Sequence, residues 1–368
     1  MHFDTDVFVA GGGPAGLAAA IAARRRGFAV MLADCAVPPI DKACGEGLMP
    51  DAQSALQKLG MRLDASEGFP FRGIRFLDRA VSVAASFPHG QGIGIRRTVL
   101  HSKMVRHAAE SGVDLLWGTR VSGLDGDRLR VGDKIVRARW IVGADGSGST
   151  IRHRAGLDDA SRKDLRFGFR LHFRVAPWTD CMEIYWGHGC QIYVTPIGPA
   201  EICVALISRD KHLRLERALN GFPEVMEKLK GTAPVTMERG AVSATRRLKR
   251  VYRGQVALVG DASGSVDAIT GEGICLGLKQ ALALAEALVE SDLTKYQAEH
   301  KRILRRPTFM AKTMLLMENR AGLRRRALEA LSSSPRIFGG MLAMHVGAAS
   351  PMEFAANGMQ LGWRMLVG

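Results

Sequence analysis

The stretch "DVFVAGGGPAGLAAAIAARRRGFAVMLAD" constrains the fold more than any other part of the chain. Its pattern predicts a short apolar strand over residues 7–10, a turn over 11–13 and an alanine-rich helix over 15–26 that Gly27 stops. A second strand over 29–33 is closed by Asp34. Gly11, Gly13 and Gly16, with Pro14 and Ala15 between them, occupy the strand-to-helix turn. There the free N–H groups of a helix N-terminus can meet a pyrophosphate, and glycine lets the backbone come close. Asp34 stands where a carboxylate accepts hydrogen bonds from an adenosine ribose. A lone glycine pattern says little, but this one is embedded in strand, turn, helix, strand and acid, which defines a Rossmann-like α/β unit.

Two later segments repeat the strand-to-turn theme. "RARWIVGADGSGSTIRHRAGL" runs a strand into Gly143-Ala144-Asp145-Gly146. "GQVALVGDASGSVDAITGEGICLGLKQALALAEAL" runs a strand over 256–259 into Gly260 and Asp261, then a glycine-rich loop and a long, largely buried helix over about 272–290. Between them "RFGFRLHFRV" alternates strictly, with Phe167, Phe169, Leu171, Phe173 and Val175 on one face. Arg166, Arg170, His172 and Arg174 fall largely on the other. "MEIYWG", "CQIYVTP" and "EICVALI" follow at hairpin-like intervals, so an antiparallel sheet is inserted into the dinucleotide-binding fold. After about residue 296 the chain reads as helices rich in methionine (Met310, Met314, Met317, Met341, Met344, Met352, Met359 and Met365).

The division expected is a discontinuous Rossmann-like domain over 1–69, 96–160 and 250–295. A β-sheet substrate domain covers 70–95 and 161–249, and a helical C-terminal region covers 296–368. The first residues show no secretory signal pattern, and no apolar run is long enough for a spanning helix. Six cysteines form neither a CxxC pair nor a Cys/His cluster, which argues against a structural metal and, without an export signal, against a disulfide framework. The expected location is cytoplasmic. A net charge of +15 suggests anionic partners, but the arginines are scattered and no nucleic-acid-binding signature accompanies them. Nucleic acid is therefore not expected. The basic, methionine-rich C-terminal part reads as packing helices beside a solvated charge run, with peripheral contact to an anionic membrane through Arg324–Arg326 as the alternative. The oligomeric state is left open.

The motifs GGGPAG, Asp34, GADGSGS and VGDASGS…GEG, in this order, resemble the FAD-dependent oxidoreductases with the p-hydroxybenzoate-hydroxylase-like fold, over about four-fifths of the chain. The resemblance implies FAD as cofactor and NAD(P)H as electron donor. It implies that Gly11, Gly13, Pro14, Ala15 and Gly16 line the pyrophosphate and that Asp34 takes the ribose. By the same resemblance Arg97 faces the phosphates and ribityl chain, Asp145 lies beside the cofactor, Gly260 is a cofactor-binding residue and Asp261 bonds the ribityl hydroxyls. Gly271, Gly273 and Ile274 would lie near the flavin ring carbonyl. Glu272 in that turn is expected to face away and complement the helix dipole.

The loop "DKACGEGLMP" follows the second strand, where the family's chain passes along the flavin ring. A Lys-x-Cys-Gly loop of this kind is similar to the geranylgeranyl-reductase branch. Cys44 and Glu46 are then catalytic candidates, with Tyr193 from "IYVTPIG" as a third. Lys42 and Gly45 are placed against the cofactor, and Lys42 and Glu46 can pair with each other. Histidines His172 and His188 are read as surface or satisfied core. Phe167, Phe169, Trp178, Tyr185, Trp186 and Tyr193 are candidate pocket walls. Hydroxylation of a hydrophobic aromatic or polyketide-like substrate is the favoured activity. Saturation of a prenyl or polyene double bond is the alternative, and a non-enzymatic flavin-binding scaffold comes third.

Overall fold

The computed structural model describes residues 2–64, 66–79, 81–158 and 163–348. Met352, Met359 and Met365 lie outside the described residues.

The first apolar run becomes the strand Thr5–Ala10, flanked on both sides by parallel partners, Val30–Asp34 and Lys134–Gly143. Val256–Leu258 extends the row beyond Lys134–Gly143, and Asp114–Trp117 extends it beyond Val30–Asp34. The register aligns the carboxyl ends, since Ala10 pairs with both Ala33 and Gly143, and Gly143 with Leu258. Parallel strands that end level deliver the turns that follow them to one edge. Gly11, Asp34, Ala144-Asp145 and Gly260-Asp261 therefore meet although they are far apart in sequence. Helices Pro14–Arg25 and Gly273–Val289 pack together behind this edge, with Leu17, Ile21, Leu278 and Leu284 in one apolar core.

A second sheet of seven strands runs in the order Arg239–Thr245, Lys163–Phe173, Glu201–Ser208, Cys190–Gly198, Cys181–Trp186, Gly73–Asp78 and Val81–Ser86. All its pairings are antiparallel except that between Cys181–Trp186 and Gly73–Asp78. Short helices Leu215–Leu219 and Pro223–Lys228 cover Leu171, Tyr185, Ile192 and Val204. Helices Leu293–Asn319, Ala321–Ser332 and Pro335–His345 press Met314, Met317, Leu328 and Phe338 against Phe71, Ile74, Ile184 and Trp186.

The alternating strand departs from expectation in one respect. Phe169, Leu171 and Phe173 enter a core as the pattern predicts, but Arg166, Arg170 and His172 are also buried, none more than 2 % exposed. Lys163–Phe173 is an interior strand with a partner on each side, so the polar half of its alternation marks the second buried face rather than solvent. Arg324 is another departure. It turns inward, its Nε 2.7 Å from Asp78 and its guanidinium over the Trp186 ring, so it is not part of an exposed basic run. None of the described helices is long and apolar enough to cross a membrane.

Candidate active site

A cavity of ≈ 630 Å³ runs from the aligned strand ends of the first sheet to the floor of the second. Of the expected cofactor residues, Gly11, Gly13, Pro14, Ala15, Asp34, Lys42, Gly45, Arg97, Asp145, Gly260, Asp261, Gly271, Gly273 and Ile274 all line it. Gly16 does not. A Cβ there would sit 1.9 Å from the Gly11 carbonyl oxygen, so this glycine serves the packing of helix against turn. At Gly13 a Cβ would meet nothing within 4 Å, which leaves the space in front of the helix N-terminus open.

Arg97 opens the helix Arg97–Glu110 and is 9 % exposed, with Nε buried and unpartnered. A desolvated guanidinium N–H without an acceptor is costly, and an anionic ligand in the cavity would satisfy it. The open helix N-terminus, the unpaired Arg97 donor and the backbone-lined turn at Gly271 and Gly273 together fit FAD. Asp34 accepts from the N–H of Gly12 at 2.6 Å and of Ala36 at 2.8 Å, which fixes its carboxylate at the cavity wall. Asp261 holds Lys42 Nζ at 3.3 Å, the partner that the loop reading had sought in Glu46.

Several expected roles need correction. Asp145 lines the cavity, but its carboxylate accepts from the Ser149 hydroxyl and from the N–H groups of Thr150, 2.7 Å, and Ile151, 3.1 Å. It caps the next helix from the cavity wall, where the expectation had it beside the cofactor. Tyr193 Oη donates to the Ile269 carbonyl at 2.6 Å, and burial pushes its phenol far above the ordinary range. Tyr193 is thus a wall and a tether for the loop before the long helix, with no proton to lend. Glu272 does not face away: it is 3 % exposed and packs inward. Only Phe169 and Tyr193 of the proposed aromatic walls reach the cavity; Trp186 packs under the C-terminal helices, and Tyr185 and Trp178 lie in the core on the far face. His188 is exposed, as one of its two readings had it.

Glu46 is also committed. Its Oε1 accepts from Arg97 N–H and Arg170 Nη1, both at 2.9 Å, and its Oε2 lies 2.7 Å from His172 Nε2. Arg170 Nη2 forks onto both Asp41 oxygens at 2.9 Å, and His172 Nδ1 meets Thr236 Oγ1 at 3.1 Å. Both ends of the "DKACGEG" loop are thereby fastened to the second sheet through one buried arginine. Glu46, His172 and Cys203 have ligand atoms within 4.8 Å of one another, a spacing a metal could use. Arg170 already supplies the positive charge there, 3.1 Å from His172 Nε2. Cys203 is held as a thiol, since burial pushes its pKa up.

Cys44 remains uncommitted as a donor. It is half-buried at the cavity, and its Sγ accepts from the Glu46 N–H at 3.3 Å. The residues not foreseen are those on the sheet floor. Arg166 is 1 % exposed and shared between Asp267, 3.2 Å from Nε, and Glu318, whose two oxygens take Nη1 and Nη2 at 2.6 Å. Gly168, Ala205, Ile207 and Ala241 complete an apolar floor. The only sequence signal for them was the alternation itself, which separates two faces without saying what covers each.

A Rossmann-like sheet delivering three glycine- and aspartate-bearing turns to one cavity, floored by an antiparallel sheet, defines an FAD-dependent oxidoreductase of the p-hydroxybenzoate-hydroxylase-like superfamily. The chain belongs to the FAD binding domain family, whose profile matches residues 4–304. It is 28% identical to the menaquinone reductase of Mycolicibacterium smegmatis, over 81% of this chain and 80% of that one. It is 30% identical to digeranylgeranylglycerophospholipid reductase 1 of Methanopyrus kandleri, over 79% and 81%. A 3-hydroxybenzoate 6-hydroxylase of Polaromonas naphthalenivorans matches at 26%, over 77% and 79%. Among solved structures, a geranylgeranyl bacteriochlorophyll reductase-like protein from Thermoplasma acidophilum superposes with a TM-score of 0.75 at 20% identity, covering 97% of this chain and 99% of that one.

Proposed function

We propose that this chain is an FAD-dependent reductase that saturates a carbon–carbon double bond in a neutral, prenyl-bearing lipid, drawing electrons from NAD(P)H. The observation that carries the reading is the charge state of the sheet floor. Arg166, the arginine that lines it, is already neutralised by Asp267 and Glu318, and Arg170, which does not reach the cavity lining, is neutralised by Asp41 and Glu46. A benzoate-like substrate would arrive without a free counter-ion and lose its hydration, which costs several kcal/mol per buried charge, on the order of the penalty that excludes unpaired ions from interiors. An apolar chain incurs no such penalty against Ala205, Ile207 and Ala241. The two reductases to which the chain is similar are named for lipids that carry prenyl chains, which supports the same class.

FAD, when bound, supplies the two electrons. The chain's own residues do the rest. Helix Pro14–Arg25 and Arg97 hold the diphosphate, the sheet floor aligns the apolar chain and excludes water, and Cys44 Sγ holds the proton for the second carbon. The Glu46 N–H and the buried Glu46–Arg170 tie keep that thiol in place. The hydroxylase relative favours a second reading, oxygenation of an aromatic substrate.

The test incubates the FAD-loaded protein with NADPH and a geranylgeranyl lipid or menaquinone, with and without air, and weighs the product. Gain of two hydrogens without air supports the reductase, and Cys44→Ser should slow it while leaving flavin reduction by NADPH intact. Gain of one oxygen atom, only in air, would replace this reading with the monooxygenase.

A further inference from the structure

Glu272 stands at the N-cap of helix Gly273–Val289 yet makes no side-chain capping bond. Its neighbours Gly271 and Gly273 line the cavity, and a Cβ on either would meet nothing within 4 Å, so the loop turns bare backbone toward a ligand. The acid points the other way, into the protein, with its side chain 2% exposed and Oε2 unpartnered. Facing it at 3.8 Å is His345 Nδ1 from the last turn of Pro335–His345, 7% exposed and equally without a partner.

The other groups around Glu272 are few. Asp51, on helix Pro50–Lys58, takes Lys279 Nζ at 2.5 Å and the Cys275 thiol at 3.2 Å, and Thr270, two residues before Glu272, donates its hydroxyl to the Asp267 carbonyl at 3.3 Å. Asp51 and Lys279 cancel each other, and burial keeps Cys275 a thiol. Glu272 and His345 are left to share one proton. While the pair keeps it, on either residue, the pair is neutral as a whole. When it leaves, one uncompensated negative charge remains behind the start of the long helix.

We propose that Glu272 and His345 form a one-proton switch that sets the electric field at the N-terminus of helix Gly273–Val289, and with it how readily FAD bound in this cavity accepts electrons. The proposal rests on the family assignment and not on the choice of substrate. A helix N-terminus carries about half a positive charge and favours the more negative, reduced form of a bound group. A carboxylate lodged behind it cancels that field, so loss of the proton makes reduction harder. By linkage, reduction in turn tightens the hold on the proton. Burial pushes the Glu272 carboxyl up from its ordinary value and Asp51 adds to this, against the opposing charges of His345 and Lys279.

The experiment is a spectroelectrochemical titration of the FAD-loaded full chain across the pH range in which it stays folded. Beyond the fall with pH that the flavin's own proton uptake gives, wild type should show a further bend in midpoint potential, with the alkaline side displaced to lower potential. Glu272→Gln, which keeps shape and removes the charge, should keep the flavin's own slope, lose that further bend and lie above wild type on the alkaline side. His345→Gln should move the bend to lower pH, because only the carboxyl is left to hold the proton. Curves for wild type and Glu272→Gln that superimpose at equal FAD content overturn the proposal. If Glu272→Gln does not retain FAD, His345→Gln decides, and a bend unmoved from wild type overturns it. Lower FAD occupancy with an unchanged bend marks a merely structural role and also refutes the switch.

Discussion

Removing the Glu46 carboxylate should destabilise the protein more than its place in a short loop suggests. The side chain is fully buried, with three partners, the Arg97 N–H, Arg170 and His172, between 2.7 and 2.9 Å. Breaking a buried ion pair by deleting one partner costs about 3–5 kcal/mol. Arg170 keeps its fork onto Asp41, so Glu46→Ala belongs at the lower end, about 3 kcal/mol. Glu46→Gln keeps an acceptor but loses the charge, and about half that loss is expected. The backbone adds a separate term. Glu46 has φ 59, a left-handed conformation that costs a side-chain-bearing residue about 1–2 kcal/mol and glycine almost nothing. Glu46→Gly should therefore be about 1 kcal/mol more stable than Glu46→Ala, although it removes the same carboxylate.

With an unfolding entropy of about 2 cal/mol/K per residue over 368 residues, each kcal/mol moves Tm by about 1.3 °C. Calorimetry at neutral pH should place Glu46→Ala about 4 °C below wild type, Glu46→Gly about 3 °C and Glu46→Gln about 2 °C. Scans with and without saturating FAD separate the fold's loss from any loss of cofactor binding. A cycle with Arg170→Met completes the case, since that change should cost less in the Glu46→Ala background than in wild type. If all three Glu46 variants melt with wild type, or if Glu46→Gly melts below Glu46→Ala, the account of this loop is wrong.

The two glycines of the first turn should fail differently. Gly13→Val places its side chain in open cavity and should fold as wild type while losing the flavin absorbance; Gly16→Val drives a Cβ to 1.9 Å from the Gly11 carbonyl oxygen and should lose the fold itself, as circular dichroism would show. Asp261→Ala should weaken FAD retention in ultrafiltration without lowering the Tm of the flavin-free protein by more than about 1 °C, because its one ion pair, with Lys42, is partly exposed. Burial holds His300 down at about 4, against about 6.5 for a free imidazole. Between those values the unfolded chain binds the extra proton, so stability drops as pH falls through that window, by about 3 kcal/mol in all, and no further below it. Urea unfolding at pH values above and inside the window should therefore show a smaller loss for His300→Gln than for wild type; equal losses would refute the assignment.

What the sequence by itself determined is the half of the site built from local geometry. Gly11, Gly13, Asp34, Asp145, Gly260 and Asp261 each follow a strand or open a helix, and a few adjacent residues suffice to specify such a turn. Parallel strands ending level then bring the turns together, so reading each one was nearly enough to read the cofactor edge. The rest was decided by partners remote in sequence. Arg166 owes its state to Asp267 and Glu318, 101 and 152 positions away, and Arg170 meets Glu46 across 124. Alternation in Lys163–Phe173 separated its faces, but whether the charged face met water or a buried acid depended on what the folded chain laid over it. The same holds for Glu272, turned inward because a helix from the C-terminal part presents His345 to it. Burial makes those choices. A charge removed from water must find its complement wherever the tertiary structure supplies one, and no local pattern encodes where that is.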